Sequence, residues 1–364
     1  MQDDLFTTRV LTIVDDSWSA AMADLDGSGT PVPLPSRPEW IRCIASGSHI
    51  LIVADDRKGQ CLAALALQIE PTRALPGHVL ARAHRLGGSL VGDAGDAVLA
   101  RLRDFADRSP RLLRVNLEFI LRTPEEHARL GDTLVRLGFH RTTAPRNYKE
   151  TLIVDLTDTE DAMLGSFSST TRRELRRWPQ CPVSLRPIRN PAYADRLNDV
   201  ARKTFSRTNG QYVPRDWEQR IALCEQLPAQ SHLVGLFRAG RDEPNALLAY
   251  AWGCAHGDHA HYEDAGSTRA DDINVSMMYP LMWELIKWAK RNGCRWFDLG
   301  GALPQSATDD DPRAGIDGFK RRFSKEIVTV GSEWVYEPHP VRARFAADIR
   351  TIGNHLFRGL SRPR

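Results

Sequence analysis

Two consecutive stretches of the chain repeat one order of apolar patterns, and this repeat constrains the fold more than any other feature. In the first stretch, the apolar runs 50–54 and 61–69 flank the turn-forming sequence 55–59, which predicts a β-hairpin. Apolar residues in 98–106 then recur every three or four positions, as one buried helix face requires. A further strand and helix complete the stretch, which predicts a mixed-sheet α/β lobe.

The second stretch begins with a strand predicted at 151–156 and a long helix predicted at 159–178. A hairpin-like pair and a third strand then lead to the clearest helix pattern of the chain, in which Met278 and Leu281 begin a continuous apolar face. A strand predicted at 295–299 follows this helix. The order of elements therefore matches that of the first stretch.

The length of the chain, 364 residues, exceeds what one ordinary hydrophobic core supports. We therefore predict an α/β fold of two lobes, each a mixed central β-sheet flanked by helices. The first lobe is placed at 1–150 and the second at 151–335, followed by a basic C-terminal tail or helix at 336–364. With 42% hydrophobic and 26% charged residues, the composition is that of a globular protein.

Signals for export, membrane insertion and metal binding are not found in the sequence. No apolar run is long enough for a membrane-spanning helix, and the acidic start Met1–Asp4 differs from a secretory signal. The six cysteines are scattered without a Cys-x-x-Cys pair, and no histidines have metal-ligand spacing. We therefore expect a cytoplasmic protein with reduced thiols and no metal site.

Positive charge is concentrated in three segments, 172–189, 313–325 and 341–364, although the net charge is only +3. Four arginines of the first segment would lie on about one and a half turns of a helix, where like charges repel each other unless anions are near. They are Arg172, Arg173, Arg176 and Arg177. Their spacing is as typical of phosphate binding as of a solvated helix face.

Two strand ends hold candidate catalytic or binding side chains. At the first, Tyr262 could hydrogen-bond a substrate and Asp264 could accept a proton, although an ordinary solvated strand end explains both residues. At the second, the strand end Phe297–Gly301 is followed by Phe319 and Lys320. We expect Lys320 at the start of a helix, and a solvated cationic face is the alternative interpretation.

Several common catalytic and nucleotide-binding motifs are absent. The sequence has no Gly-x-x-x-x-Gly-Lys-[Ser/Thr] loop and no Gly-x-Gly-x-x-Gly fingerprint after a strand. It also has no serine in a Gly-x-Ser-x-Gly elbow. The sequence therefore carries none of the usual signatures of P-loop nucleotide binding, dinucleotide binding or α/β-hydrolase chemistry.

Seven segments have the order and spacing of motifs in a known family. They are 137–139, 151–156, 168–177, 262–267, 283–289, 297–301 and 318–323. Together they resemble the Fem family of aminoacyl-tRNA-dependent peptidyltransferases, from about Val79 to about Gly331. The resemblance implies two GNAT-like lobes that need no metal or CoA. It also implies transfer of an aminoacyl group from aminoacyl-tRNA, the co-substrate, to an amine acceptor.

The acceptor would be a peptidoglycan precursor or a small metabolite, with peripheral membrane association if it is lipid-linked. Carried over by position, the Phe-Lys pair of the family becomes Phe319 and Lys320, beside the aminoacyl-tRNA end. The Thr-x-x-Arg motif becomes Thr204 and Arg207, which would bind the acceptor, and the tyrosine of Tyr-x-x-Gly/Ala becomes Tyr262. The Pro-Arg-Gly-Pro strand of the family has no match.

The resemblance implies a mechanism, which we state as a hypothesis. An ammonium at Lys320 would stabilise the oxyanion that forms when the amine attacks the ester. Asp264 is a candidate general base, and proton transfer by the substrate itself is the alternative. Six arginines would hold tRNA phosphates. They are Arg172, Arg173, Arg176, Arg177, Arg321 and Arg322.

Two other functions remain open at this point. The first is an acyl-CoA-dependent GNAT N-acyltransferase. The chain lacks the Arg/Gln-x-x-Gly-x-Gly/Ala segment with which acetyl-CoA-binding GNAT lobes hold pyrophosphate, which argues against this function. The second is a non-catalytic module that binds tRNA or a nucleotide, which product formation would distinguish from an enzyme.

Overall fold

The computed structural model describes residues 6–143, 145, 147–207, 212–270, 272–273, 276–303 and 314–349. The chain divides into two compact units. The first unit comprises Met1–Ile41, Ala45–Arg146 and Val330–Arg364, and the second comprises Arg42–Ile44 and Asn147–Thr329. Part of the expected basic tail, residues 350–364, lies outside the described residues.

The strands of the described residues follow in chain order. They are β1 (Thr7–Leu11), β2 (Ser48–Asp55), β3 (Cys61–Pro71), β4 (Val79–Leu86), β5 (Leu112–Ile120), β6 (His140–Arg141), β7 (Glu150–Asp155), β8 (Val183–Pro187), β9 (Ser231–Arg238), β10 (Leu247–Ala255), β11 (His259–Ser267), β12 (Trp296–Asp298), β13 (Ile327–Thr329) and β14 (Gly331–Tyr336).

The α-helices are given in the same way. They are α1 (Asp16–Gly27), α2 (Pro38–Cys43), α3 (Asp93–Asp107), α4 (Pro124–Arg136), α5 (Glu160–Ser166), α6 (Ser169–Arg177), α7 (Ala194–Arg207), α8 (Trp217–Gln226), α9 (Met278–Arg291), α10 (Ala314–Lys320) and α11 (340–349).

The first unit is built on a seven-stranded sheet in the order β1-β2-β3-β4-β5-β14-β6. Its neighbouring strands are antiparallel except for β4 and β5, which are parallel and are joined through α3. The apolar face expected in 98–106 is buried, since Val98, Leu99 and Leu102 are 0% exposed. They pack with residues such as Val115 in one hydrophobic core.

The second unit has a sheet of the same size in the order β13-β7-β12-β11-β10-β9-β8. Here β11 and β12 are the parallel pair, and α9 joins them. The predicted apolar face of α9 is buried, with Leu281, Leu285 and Ile286 at 0% exposed. The predicted α/β fold with two mixed sheets flanked by helices is therefore confirmed.

The chain passes from the first sheet to the second between β6 and β7, and it returns to the first sheet at β14. β7 follows β6 in sequence but pairs with β12 and β13 in the second sheet. β14 follows β13 in sequence but pairs with β5 and β6 in the first sheet. The second unit consequently ends at Thr329 and not at the expected 335, because the backbone of β14 bonds to the first sheet.

The long helix expected at 159–178 is in fact two helices, α5 and α6. Phe167 between them has extended backbone angles. The side chain of Ser168 then caps α6, accepting a hydrogen bond from the amide of Thr171 at 3.2 Å. Serine and threonine favour helix caps over helix interiors because their side chains compete for backbone groups.

Candidate active site

The last residue of β12 is a fully buried carboxylate. Asp298 is 0% exposed, and a buried charge needs hydrogen-bond donors. The hydroxyl of Thr151 donates to it at 2.5 Å and the amide of Gly300 at 2.7 Å, and the hydroxyl of Tyr148 also donates to it. These donors come from β7, from the residues just before it and from the turn after β12, so the strand order assembles the cluster.

A double-glycine turn follows Asp298. Gly300 and Gly301 have φ angles of +73° and +27°, in the left-handed region that glycine adopts most readily. A Cβ atom on Gly301 would stand 3.2 Å from the ring of Tyr148. The two glycines therefore let the chain turn tightly beside the buried carboxylate.

The ammonium of Lys320 is held by the backbone of this turn. Its Nζ donates to the carbonyl oxygen of Gly300 and, at 2.9 Å, to that of Gly301. The side chain is buried, which lowers the pKa of Lys320 below its ordinary value, while Asp298 and Asp317 act in the opposite direction. An ammonium has three donors, so these two bonds to the described part of the chain leave one donor for another acceptor.

Lys320 is the last residue of α10, not the first turn of a helix as expected. The amide of Arg321 still donates to the carbonyl of Asp317 at 2.9 Å, and Phe323 then closes a turn onto the carbonyl of Lys320 at 2.9 Å. Gly318 lies inside the helix, two residues before Lys320. Lys320 therefore projects from a helix end, where its side chain reaches the glycine turn.

Aromatic packing fixes the end of α10. The ring centroid of Phe319 lies 5.2 Å from that of Tyr279 and 5.3 Å from that of Phe323. Phe323 is 1% exposed and belongs to the hydrophobic core of the second unit. Phe319 thus contributes packing that positions the helix end, and Lys320 contributes the ammonium.

Tyr262 on β11 lies in the same cluster. The Nζ of Lys320 is 5.9 Å from the centroid of its ring. Burial raises the pKa of Tyr262 above its ordinary value, and the carboxylates of Asp298 and Asp264 raise it further. The phenol is therefore protonated at neutral pH and can donate a hydrogen bond. The structure brings Lys320 and Tyr262 together as two adjacent polar groups.

Asp264 belongs to a different set of contacts. It is buried, its Oδ2 lies 2.5 Å from Nε of Arg215, and the hydroxyl of Tyr250 donates to its Oδ1 at 3.1 Å. Burial raises the pKa of Asp264 more than Arg215 and Tyr250 lower it. A carboxylate already engaged by a guanidinium and a phenol makes a poor general base.

Thr204 and Arg207 lie near the end of α7, and both bond to Ser267. The hydroxyl of Thr204 accepts from the amide of Ser267 at 2.9 Å and is 3.1 Å from its carbonyl oxygen. Arg207 donates to the carbonyl and to the hydroxyl of Ser267, at 2.8 and 3.2 Å. Both side chains therefore fix the end of β11, and Arg207 remains exposed.

The basic helix α6 presents two kinds of arginine. Arg172 folds back and donates to the carbonyl oxygens of Gly165 and Phe167 at 2.8 and 2.5 Å, which joins α5 to α6. Arg173 and Arg177 are 62% and 43% exposed and lie 3.6 and 3.8 Å from the carboxylate of Glu174. Arg172 is exposed but tied to backbone carbonyls, so Arg173 and Arg177 are better suited than Arg172 to meet an anion in solvent.

The other predicted phosphate-binding arginines have structural bonds. Arg176 donates to the carbonyl of Arg172 at 3.3 Å. Arg321 forms a 2.5 Å ion pair with Asp317, and Arg322 donates to the hydroxyl of Tyr279 at 2.6 Å.

The turn after Lys320 is bonded to the start of α6. The carbonyl of Arg322 accepts from the amide of Ser168 at 2.9 Å and from the hydroxyl of Thr171 at 3.0 Å. The basic helix therefore begins beside the segment that carries the buried ammonium.

Sequence reasoning assigned no role to Asp298, Thr151 or Tyr148. Asp298 carried a signal, since a lone carboxylate inside the apolar strand 296–299 must find donors once it is buried. Thr151 and Tyr148 carried none, because only the pairing of β7 with β12 brings them to Asp298.

The described residues show neither a metal-binding cluster nor a membrane-spanning helix. In that part of the chain, no group of three or more histidine, cysteine, aspartate and glutamate side chains is arranged to hold a metal ion. No helix there combines the length and apolarity that crossing a bilayer requires. Two clefts of about 580 and 460 Å³ are lined by none of the predicted site residues.

Comparison with known proteins supports the assignment of the fold. Residues 165–321 match the family model described as "Acetyltransferase (GNAT) domain". No curated protein matches the chain. The crystal structure of FemX superposes with a TM-score of 0.73 at 13% identity, covering 93% of this chain and 100% of that one. L-PGS from Bacillus licheniformis superposes with a TM-score of 0.52 at 13% identity, covering 93% and 97%.

A protein from Bacteroides thetaiotaomicron, described as a conserved protein of unknown function, gives a TM-score of 0.52 at 13% identity, with coverage of 90% and 99%. At such identities the superpositions establish the fold alone. The domain match in the second unit adds support for an acyltransferase. The chain therefore has the GNAT-like fold of FemX, which confirms the resemblance to the Fem family at the level of the fold.

Proposed function

We propose that the protein is an aminoacyltransferase that moves an aminoacyl group from aminoacyl-tRNA to an amine, forming an amide bond. The observation that carries the proposal is the buried ammonium of Lys320. Among the described residues it is bound to the carbonyl oxygens of Gly300 and Gly301, which leaves one donor over. A cation fixed in a buried position interacts with a developing oxyanion more strongly than a solvated one does.

The reaction follows from the chemistry of the ester. The amine nitrogen attacks the carbonyl carbon, an oxyanion forms, and the bond to the ribose oxygen of tRNA breaks. The proton of the attacking nitrogen passes to that leaving oxygen. Because the ester is already activated, positioning of the amine provides much of the acceleration. Lys320 would donate its third hydrogen bond to the oxyanion, and Tyr262 would donate to the same or a neighbouring oxygen.

Binding of tRNA is assigned to the exposed face of α6. The side chains of Arg173 and Arg177 are 62% and 43% exposed and lie on the helix that begins beside the turn after Lys320. A tRNA bound there would bring its aminoacylated end toward the ammonium. Thr204 and Arg207, at the end of β11, are proposed to border the acceptor site. We propose that aminoacyl-tRNA serves as co-substrate and that no metal or other cofactor is needed.

An acyl-CoA-dependent N-acyltransferase is the second candidate, and the description of the matching family model favours it. In the first unit, the helix that would face pyrophosphate is α3. Its first turn carries Asp93 and Asp96, whose charges oppose a phosphate at a helix N-terminus. This local charge makes the first unit a poor CoA site, whereas the first turn of α9, in the second unit that the family model matches, carries no acidic residue.

Mass spectrometry of products distinguishes the candidates. The purified protein is incubated with charged total tRNA, or with acetyl-CoA, and with a panel of amines. We expect new amides only with charged tRNA, and their loss when Lys320→Ala replaces the wild type. Lys325→Ala, an exposed lysine five residues away, is the matched control. Amides formed only from acetyl-CoA would establish the second candidate, and tRNA binding without any product would establish a non-catalytic module.

A further inference from the structure

Helix α11 has two sides of opposite construction. On one side, Ala343 and Ala346 are 4% and 6% exposed and line a small cavity together with residues of β4 and β5. On the other side, Val341 and Phe345 are 83% and 58% exposed, and Ile349 is 36% exposed. The small side chains thus face the first unit, and the large apolar ones face solvent.

We call Val341, Phe345 and Ile349 the apolar stripe. Their spacing of four residues places them along one side of the helix. A surface helix normally turns its large apolar residues toward its own core. The arrangement here is reversed, because alanines make the internal contact. Three neighbouring exposed apolar side chains on one helix indicate a surface that another molecule or a membrane covers.

The charged residues beside the apolar stripe indicate the chemistry of the partner that would cover it. At about 100° per residue, Arg342 and Arg344 project from opposite edges of the stripe. Asp348 lies beside the stripe, and its negative charge offsets part of the charge of the two arginines. Residues 350–364, which follow directly, contain four arginines and no acidic residue. The segment that carries the stripe is therefore strongly cationic.

We propose that the apolar stripe is a docking surface for a membrane with anionic headgroups. The side chains of Phe345 and Val341 would enter the interfacial region, while the arginines contact lipid phosphates. Apolar burial combined with attraction to anionic lipids is what holds an amphipathic helix at a bilayer surface. A second copy of the chain is a less suitable occupant, because two such cationic segments would repel each other. The proposal is independent of the proposed function.

Co-sedimentation of the full chain with lipid vesicles tests the proposal. One set of vesicles is phosphatidylcholine alone, and the other contains phosphatidylglycerol as well. We expect binding to the anionic vesicles that weakens as salt is added. A double variant, Val341→Ser with Phe345→Ser, should reduce partitioning at least about tenfold, because its apolar area is lost. Val135→Ser, at 64% exposed on α4, is the matched control and should bind like wild type.

Single charge changes refine the test in both directions. Arg344→Gln should weaken binding to anionic vesicles about fivefold, the effect of one cation near such a surface. Asp348→Asn should strengthen it by removing repulsion. Circular dichroism spectra should be unchanged, since all these side chains are exposed.

Equal vesicle binding by wild type and the double variant would overturn the proposal. So would the absence of wild-type binding to either kind of vesicle. Self-association that the double variant abolishes, without vesicle binding, would assign the apolar stripe to a second copy of the chain. Amide formation in solution should be the same in all variants.

Discussion

The two units share a sheet plan but use a buried carboxylate in different ways. In the first unit, Glu118 on β5 is 5% exposed and meets His84 at 3.3 Å and the amide of Arg85 at 3.3 Å. Burial opposes its ionisation, yet His84 and Arg85 keep the pKa of Glu118 below its ordinary value. In the second unit, Asp298 on β12 is satisfied by two hydroxyls and an amide.

The difference concerns what the basic side chain near each carboxylate is bonded to. Glu118 contacts the ring of His84 directly, so that carboxylate and imidazole satisfy each other. Near Asp298, the ammonium of Lys320 is bound to backbone carbonyls instead. A cation held by neutral acceptors keeps its full charge and a spare donor for an incoming anion. The same fold therefore carries a carboxylate and an imidazole in mutual contact in one unit and a candidate catalytic group in the other.

The largest expected effect is that of removing the cation from the second unit. Lys320→Ala should lower turnover about 10²–10³-fold, as loss of an oxyanion donor does. The Michaelis constant for the acceptor should change little, because the donor acts on the transition state. Steady-state kinetics with charged tRNA provide the measurement, with Lys325→Ala as the control. Unchanged turnover would remove Lys320 from the site.

The next prediction compares the two carboxylates directly. Asp298→Asn keeps the shape of the side chain but leaves donors facing an amide, so it should lower the free energy of unfolding by about 1–3 kcal/mol. It should also lower turnover by roughly tenfold through displacement of the glycine turn. Glu118→Gln should cost stability of about the same size without loss of turnover. Equal loss of turnover in both variants would show that the effect of Asp298→Asn is general destabilisation.

The pH dependence separates the units in a second way. Burial lowers the pKa of Lys320 below 10.5, so turnover should fall with rising pH before an ordinary lysine would titrate. Because the folded state releases this proton first, stability should rise between the folded pKa and 10.5. Glu118 has a lowered pKa, so its contribution is present above its unfolded pKa and is lost as pH falls through the folded value.

Lys320→Arg provides the control for the alkaline limb, since a guanidinium stays charged throughout this range. Pre-steady-state rates, corrected for spontaneous ester hydrolysis, should show the limb in wild type and not in the variant. An identical limb in both proteins would assign it to another group.

The smallest expected effect concerns the basic helix. Arg173→Gln and Arg177→Gln should each reduce the slope of log binding constant against log salt by about 0.7–0.9, the value of one phosphate contact. Arg9→Gln, an arginine of the first unit that is paired with Asp55, is the control and should leave the slope unchanged. A slope near zero in the wild type would mean that α6 is a solvated helix face.

Local patterns predicted the elements because they depend on near neighbours. The face of α9 follows from side-chain spacing, and the β2–β3 hairpin follows from a turn between apolar runs. The break of the helix at Ser168 was also readable in principle, since four consecutive hydroxyl residues favour a cap. Nothing local revealed the partners of β7 and β14, because both strands pair with residues far away in the chain.

The candidate site, like the fold, was only partly predictable from the sequence. Lys320 and Tyr262 were selected by the resemblance to the Fem family, since their positions alone left them open, and the structure places them side by side. Asp264 was also singled out, but its contact with Arg215 depends on a loop 49 residues earlier in the chain. Tyr148 became visible only once β7 was paired with β12.

Binding of a tetrahedral analogue tests the central claim most directly. A phosphonate that replaces the ester carbonyl carries the charge of the oxyanion, so a group that stabilises the transition state should bind it more tightly than the ground state. We predict that Lys320→Ala weakens binding of the phosphonate about 10²-fold or more while acceptor affinity is retained. Equal affinity of wild type and variant for the phosphonate would contradict the account.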